Sequence, residues 1–384
     1  MKNGTYRYND IYMRDNPQYF SSLTAMRGIA ALWVVFFHMD VIIFYRDLGS
    51  LIPHDQSGII TRGYLWVDFF FILSGFIITH VYGGLFAGQY NHRTIFHFIW
   101  ARFSRIYPLH IFTLALLVLF SGIVPLLLPE VMDSSWYSYF DWAALPSNIM
   151  LTNAMNQHVY LSWNIVSWSI GAEWWTYVAG ISLLTLLARK SVFASLLTII
   201  IAASLLILMV YWYPGKSLDI TFDYGFFRCL FEFAIGVGLY QLFQRGYAAR
   251  WLKRDEIFLL IFLAIVAVFH WGLNDLWVIP LFGLMVLALG HNKSTVGRIL
   301  NMPILSYLGK ISYSVYLMHG VWFMVFWFLL PWVTSQSGIM ALSGLNKIVY
   351  CSLFLALTII SAGFTYRYIE VKHRRYLRQK LQFI

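Results

Sequence analysis

Long apolar runs separated by short charged segments constrain this chain more than any other feature. A bilayer core of about 30 Å is crossed by roughly 20 residues of α-helix. Only 11% of the 384 residues are charged and 60% are hydrophobic, whereas an ordinary soluble domain is about 25% charged. Because so little polar surface cannot cover a soluble globule, the sequence predicts an all-α integral membrane protein, a bundle of about ten transmembrane helices. The predicted helices span residues 23–45, 63–83, 106–128, 167–188, 192–212, 223–243, 256–272, 276–290, 311–332 and 347–367.

The positions of the lysines and arginines predict how the bundle is oriented. If both termini are cytoplasmic (N-in/C-in), 21 of the 27 cations lie in cytoplasmic segments and four lie in outer segments. Such a bias is the positive-inside signal of membrane proteins. Residues 129–162 contain two prolines and only a brief apolar run, so we expect an outer loop with an interfacial or re-entrant piece.

The predicted organisation is a single membrane unit. Residues 1–22 would form a cytoplasmic segment, residues 23–370 the transmembrane domain and residues 371–384 a basic cytoplasmic tail. The polar N-terminus lacks the apolar core of a cleavable signal peptide, and we expect a multi-pass protein of the inner (plasma) membrane. The net charge of +10 reflects topology rather than nucleic-acid binding, because it falls between apolar runs. Cys229 and Cys351 lie inside such runs, which predicts neither a disulfide nor a metal site.

Arg27 and His38 are ionisable residues within the first predicted helix, where burying a charge costs at least a few kcal/mol and therefore indicates function. Eleven residues are close to three turns, so both side chains share a face and are separated by about 16 Å along the axis. Arg27 would lie near the inner surface and His38 beyond the midplane. An imidazole there can accept a proton from a hydroxyl and pass it on. A packing histidine is the alternative.

Arg102 and Arg105 lie at the inner end of the third predicted helix. A spacing of three residues places them on one face. Together with Arg27 they could form a cationic pocket that opens to the cytoplasm. Guanidinium groups bind phosphate in a bidentate manner, which suits a nucleotide or a pyrophosphate. Alternatively, both are topology anchors that extend to lipid headgroups.

Five further side chains complete the candidate site. Glu173, halfway along the fourth helix and near Trp168, could orient the imidazole of the first helix or bind sugar hydroxyls; a partner for a buried arginine is the alternative. Asp68 begins the second helix's apolar run. Ser74 precedes a glycine that permits close helix approach, which favours a packing contact over a nucleophile. His319, deep in the ninth helix, could have a second catalytic role or form a hydrogen bond between helices.

Seven pieces of the sequence together resemble the acyltransferase-3 family of membrane O-acyltransferases. They occur in the family's order from residue 23 to about residue 370, and they read LTAMRGIAALWVVFFH, VDFFFILSGFIIT, RFSRIYPL, SWSIGAEWWTY, FRCLFEFAIGVGLY, LGKISYSVYLMH and YRYIE. The sequence departs from the family in YIEVKHRR, where many relatives have a proline after the glutamate. It resembles a stand-alone form, in which no fused hydrolase-like domain is expected. The family's Arg-x10-His element falls on Arg27 and His38, and its Arg-x-x-Arg element falls on Arg102 and Arg105. The family's helix with a Trp-Ser and a Glu falls on Trp168, Ser169 and Glu173.

The resemblance implies an enzyme that moves an acyl group, commonly acetyl, from cytoplasmic acyl-CoA to a sugar hydroxyl. The expected acceptor is a cell-surface polysaccharide such as lipopolysaccharide O-antigen or an exopolysaccharide, or a lipid-linked glycan. Acyl-CoA would be a co-substrate, with no permanently bound cofactor. Its phosphates at the three arginines would let the pantetheine arm reach His38, the expected general base, while Glu173 orients the acceptor or the imidazole.

A glycolipid transporter or flippase without acyl-transfer chemistry is the main alternative. Buried arginine, histidine and glutamate also serve proton-coupled transport. Transporters often contain inverted repeats with broken helices, and the sequence shows no such repeat. A receptor or scaffold without chemistry would leave the shared face of Arg27 and His38 unexplained.

Overall fold

The computed structural model describes residues 20–88, 91–187, 191–338 and 341–380, and within these ranges the chain is helical without any strand. Each of the ten predicted segments coincides with a helix, so the all-α fold is confirmed. The ten helices are α1 (Ser21–Tyr45), α2 (Trp66–Gly88), α3 (His92–Leu127), α4 (Ser167–Leu187), α5 (Val192–Trp212), α6 (Gly225–Gln244), α7 (Asp255–His270), α8 (Val278–His291), α9 (Pro303–Gln336) and α10 (Gly344–Thr365).

Seven of these helices, namely α1, α2, α3, α5, α6, α9 and α10, are long and apolar enough to cross a membrane. Helices α7 and α8 have 16 and 14 residues, fewer than the roughly 20 residues of a full crossing. Helix α4 has 21 residues but carries Glu173 among several polar residues. The protein is therefore a multi-pass helical bundle, while the count of ten crossings and the N-in/C-in orientation stay predictions.

Two helices begin at least eight residues earlier than the sequence predicted. Helix α3 begins at His92 rather than at residue 106, because Asn91 caps its N-terminus through a hydrogen bond of 2.9 Å and no glycine or proline interrupts the following turns. Helix α9 begins at Pro303, a residue favoured in the first helical turn, rather than at residue 311. Both added stretches contain charged residues, so hydropathy alone placed the helix starts too late.

Helices α1 and α9 pack directly against each other. A Cβ atom added at Gly28 would lie 2.6 Å from the backbone nitrogen of Gly309, so the two backbones are in contact there. Ten residues further along each helix, His38 and His319 also meet. The equal spacing means that the helices run in the same direction, and that the glycine contact near one end brings the two histidines together.

Helices α2 and α6 make a second close contact. A Cβ atom at Gly75 would lie 2.0 Å from the carbonyl oxygen of Phe233, and one at Gly236 would lie 2.0 Å from that of Ile72. No side chain fits between such backbones, which confirms the close helix approach predicted at Ser74-Gly75. This contact fixes the position of Ser74 along the axis of the bundle.

The segment between α3 and α4 contains short helices of three to five residues and no crossing helix, as the sequence predicted. Two of the cations assigned to the outer side pair with acids from other outer segments. Arg46 pairs with Asp133 and Arg62 pairs with Asp275. Segments that the charge pattern assigned to one side of the membrane therefore lie together.

Helix α10 continues into a π-helix at Tyr366–Val371 and then into α11 (Lys372–Lys380). A π-helix is rare and is frequently found at functional sites. Here it accompanies Glu370, which is only 3% exposed. The boundary predicted at residue 370 lies inside this continuous helical stretch. Residues 1–19 and 381–384 of the predicted terminal segments, and the predicted cytoplasmic cations at 189 and 190, lie outside the described residues.

Candidate functional site

His38 and His319 form a pair inside the bundle. Atom Nε2 of His319 lies 3.3 Å from Nδ1 of His38, and the ring centroids are 4.8 Å apart. His319 is fully buried, whereas His38 stays partly accessible. Phe323, one turn after His319, packs edge-on against the His38 ring at 5.6 Å. The His38 imidazole therefore faces α9 and the bundle interior rather than lipid.

The hydrogen bonds of the two rings determine their neutral tautomers. Nδ1 of His38 lies 3.0 Å from the carbonyl oxygen of Val34, and Nδ1 of His319 lies 3.3 Å from that of Val315. A carbonyl oxygen only accepts, so each Nδ1 carries the hydrogen. The Nδ1–H of His38 is then shared between Val34 and the unprotonated Nε2 of His319. This arrangement leaves Nε2 of His38 without a hydrogen and free to take a proton.

Three arginines converge near the inner end of α1. Arg27 interacts electrostatically with Arg105, which repels it, and with Glu173, which attracts it. Within the part of the chain that the structure describes, neither Arg27 nor Arg105 makes a side-chain hydrogen bond or ion pair. Arg102 donates from Nη2 to the hydroxyl of Tyr82 at 2.9 Å, and its buried Nε has no partner. Like charges held together with unused donors are suited to bind an anion.

Glu173 lies with these arginines. Its Oε1 accepts hydrogen bonds from the Ser74 hydroxyl at 2.7 Å and from the Tyr177 hydroxyl, and the carboxylate also interacts with Arg102. The side chains of Glu173 and His38, both within the described ranges, make no contact with each other. The structure therefore places the glutamate and Ser74 beside the anion-binding groups. A role for Glu173 in orienting the imidazole or the acceptor stays a prediction.

Asp68 and Trp168 belong to a separate buried cluster around Arg228. The guanidinium donates from Nε and Nη2 to the two carboxylate oxygens of Asp68, at 2.8 and 2.7 Å. It lies over the Trp168 ring, 5.5 Å from the centroid, and Glu232 is 3.7 Å away. Both Arg228 and Asp68 are at most 1% exposed. The cluster joins the starts of α2, α4 and α6.

Glu370 belongs to the arginine site, although the sequence analysis did not select it. Its Oε2 accepts from the Ser314 hydroxyl at 3.2 Å, and Arg374 lies 3.8 Å from its Oε1. The carboxylate also interacts electrostatically with Arg27. The only signal in the sequence was the acid at the end of the YRYIE piece. The π-helix that contains this acid could not be predicted from composition.

The arginine site and the histidine pair are joined by α1. Arg27 and His38 lie on one face of that helix, about 16 Å apart, with the arginine near the end that the charge pattern assigns to the cytoplasm. Among the described residues no group of three or more His, Cys, Asp or Glu side chains could hold a metal ion. The arrangement is suited to a long molecule with an anionic head, whose far end would lie at the imidazole.

Fold and site together define a multi-pass membrane protein with a polar site enclosed by its helices. Comparison with known proteins gives the family. The model of an acyltransferase domain, that of the acyltransferase-3 family, matches residues 20–367. The chain therefore belongs to the acyltransferase-3 family of membrane acyltransferases.

One curated relative shares part of the sequence. "Protein 2 in picA locus" of Rhizobium radiobacter is 40% identical over 102 residues, which are 26% of this chain and 45% of that protein. The match thus spans less than half of that relative's length. No solved structure matches the chain.

Proposed function

We propose that this protein is an O-acyltransferase of the inner membrane that moves an acyl group, in the first instance acetyl, from cytoplasmic acyl-CoA to a sugar hydroxyl of a cell-surface polysaccharide. Lipopolysaccharide O-antigen and exopolysaccharide are the expected acceptors. The observation that carries the proposal is a set of three guanidinium groups that have no counter-ion at hydrogen-bonding distance among the described residues. They lie about 16 Å below an imidazole whose Nε2 is free to take a proton.

The arginine site would bind the phosphates of the donor. Coenzyme A has an anionic nucleotide head and a long flexible pantetheine arm that ends in the thioester. Phosphates held by Arg27, Arg102 and Arg105 would gain charge-assisted bidentate hydrogen bonds. Glu173 and Glu370 would keep these cations oriented while the site is empty, and the arm would extend along α1 toward His38.

The histidine pair would perform the proton transfer. Nε2 of His38 takes the proton of the acceptor hydroxyl while the hydroxyl oxygen attacks the thioester carbonyl. The carbon–sulfur bond then breaks, the ester forms, and the leaving sulfur takes the proton from the imidazolium. His319 would stabilise the imidazolium by accepting a hydrogen bond from Nδ1–H of His38. A positioned general base typically contributes about 10²–10⁴-fold, and holding both substrates supplies much of the remaining acceleration.

The proposal is tested with purified protein in lipid vesicles, acetyl-CoA labelled in the acetyl group, and surface polysaccharide from the strain that carries the protein. The expected result is label in the polysaccharide as an ester that mild base releases. A glycolipid transporter would instead move a labelled glycolipid between leaflets and leave the acetyl label on coenzyme A. That second result would contradict the proposal.

A further inference from the structure

A row of aromatic side chains leads outward from the histidine pair along α9. His319, Phe323 and Trp327 follow at intervals of four residues and so lie on one face. The Phe323 ring contacts His38 and stacks on Trp327, with 5.4 Å between centroids and 22° between planes. At about 1.5 Å per residue, Trp327 lies about 12 Å outward of His319. The row therefore runs from the His38 imidazole toward the outer side of the bundle, and it ends at a Trp327 ring that is only 8% exposed.

Polar groups from two other parts of the chain surround the end of this row. Arg46 follows α1 directly, and its guanidinium carbon lies 5.3 Å from the centroid of the Trp327 ring. It forms an ion pair of 2.5 Å with Asp133. Tyr139 packs edge-on against Trp327 at 5.3 Å, and the indole nitrogen of Trp327 donates to the Ser135 hydroxyl at 3.2 Å. We call Arg46, Asp133, Tyr139 and Trp327 the outer cluster.

The outer cluster keeps unused capacity for hydrogen bonding. Asp133 and Arg46 are 32% and 18% exposed, so both reach solvent, and the buried Nε of Arg46 has no partner. Partial burial opposes ionisation of Asp133, but hydrogen bonds from Ser135 and Arg46 outweigh it and lower its pKa. Burial raises the pKa of Tyr139 to about 12, which keeps its hydroxyl protonated and able to donate.

We propose that the outer cluster is a subsite that binds a sugar unit of the acceptor glycan and directs its chain toward His38. A sugar presents an apolar C–H face, which packs on the electron-rich face of an aromatic ring, and a rim of hydroxyls, which pair with a carboxylate and a guanidinium. The partly exposed ring of Tyr139 beside an arginine and an aspartate matches both features, and the buried Trp327 holds the arginine and the tyrosine in place. The inference rests on the proposed function, since it names how that site takes its second substrate.

The test compares three variants of the full-length protein in vesicles: Arg46→Gln, Asp133→Asn and Trp327→Phe. Each removes hydrogen-bonding capacity, and Asp133→Asn does so with almost no change in volume. Lys216→Gln, which removes another outer cation, is the matched control. The KM for short oligosaccharides cut from the surface polysaccharide is measured at saturating acetyl-CoA, and the affinity for acetyl-CoA is measured without acceptor. Thermal unfolding of each variant checks that it is folded.

We expect the KM for oligosaccharide to rise at least about tenfold in the three variants, because each loses a hydrogen bond that involves a charged or buried group. The affinity for acetyl-CoA and the Lys216→Gln control should not change. An unchanged oligosaccharide KM in the three folded variants would overturn the subsite. The subsite would also be overturned if the variants changed only the unfolding temperature, in a way that depends on anionic lipid, while the KM for oligosaccharide stayed constant. That result would indicate that the outer cluster anchors the protein to lipid headgroups.

Failure of the subsite and failure of the proposed function give different results. If the wild-type protein transfers no label to any glycan, the proposed function fails. Binding of the same oligosaccharides, measured without acetyl-CoA through tryptophan fluorescence, then still decides the subsite. Binding that weakens in Arg46→Gln supports it, and absence of binding to the wild-type protein overturns it.

Discussion

Replacing Gly309 with alanine should slow acyl transfer by about 10²-fold without changing any reacting group. The added Cβ atom would lie 2.1 Å from the backbone oxygen of Thr24, whereas ordinary contact begins at 3.4 Å, so α1 and α9 must separate by about 1.3 Å. The same shift at the histidine pair would increase the distance of 3.3 Å beyond hydrogen-bonding range. A misplacement of about 1 Å at a reacting centre can cost about 10²-fold in rate.

The assay measures the initial rate of acyl transfer per mole of folded protein, together with the temperature of unfolding. Overpacking should also destabilise the bundle by about 1–3 kcal/mol, so the rate is compared at a temperature where both proteins are folded. Gly122→Ala in α3 is the control, because its Cβ atom would meet nothing within 4 Å. The control should keep the wild-type rate. A wild-type rate in folded Gly309→Ala would refute the dependence of activity on this helix contact.

Three further predictions concern charge. Arg105→Ala should raise the KM for acetyl-CoA at least about tenfold, the equivalent of about 1.4 kcal/mol, with little change in kcat; an unchanged KM in steady-state kinetics would exclude the phosphate role. Asp68→Asn should lower the free energy of unfolding by about 3 kcal/mol, because Arg228 loses its buried counter-charge, and a wild-type unfolding curve would contradict this. The pKa of Asp133 lies below its ordinary value despite partial burial, so the carboxylate loses its charge only as pH falls through that lowered pKa. The KM for oligosaccharide should therefore stay constant from about pH 7 down to about pH 5. A rise in this KM within that window would count against the role of Asp133.

The sequence predicted much of the fold because membrane helices are specified by local composition. Ten segments were placed as helices, and the shared face of Arg27 and His38 followed from helical geometry alone. The starts of α3 and α9 were wrong, since hydropathy responds to charge and a helix does not end where lipid ends. The close approach at Gly75 was predicted from the small residues themselves.

The assembly of the site could be predicted only in part. His38 and His319 were both selected, but their pairing joins residues that are 281 positions apart and depends on where two glycines meet. Glu173 clusters with the arginines because of how α4 is rotated about its own axis. The polar residues of α4 alone did not predict that rotation. Glu370 was missed because a π-helix, rather than a regular helix, accompanies its inward position.

The measurement that tests the account most directly is the rate of acyl transfer by purified His38→Ala in vesicles, with acetyl-CoA and acceptor both saturating. His270→Ala, which changes an exposed histidine bonded to Ser57, serves as the control. The account predicts a fall of about 10²–10⁴-fold for His38→Ala, unchanged affinity for acetyl-CoA, and a wild-type rate for the control. Full transfer activity in folded His38→Ala would contradict the claim that this imidazole accepts the hydroxyl proton.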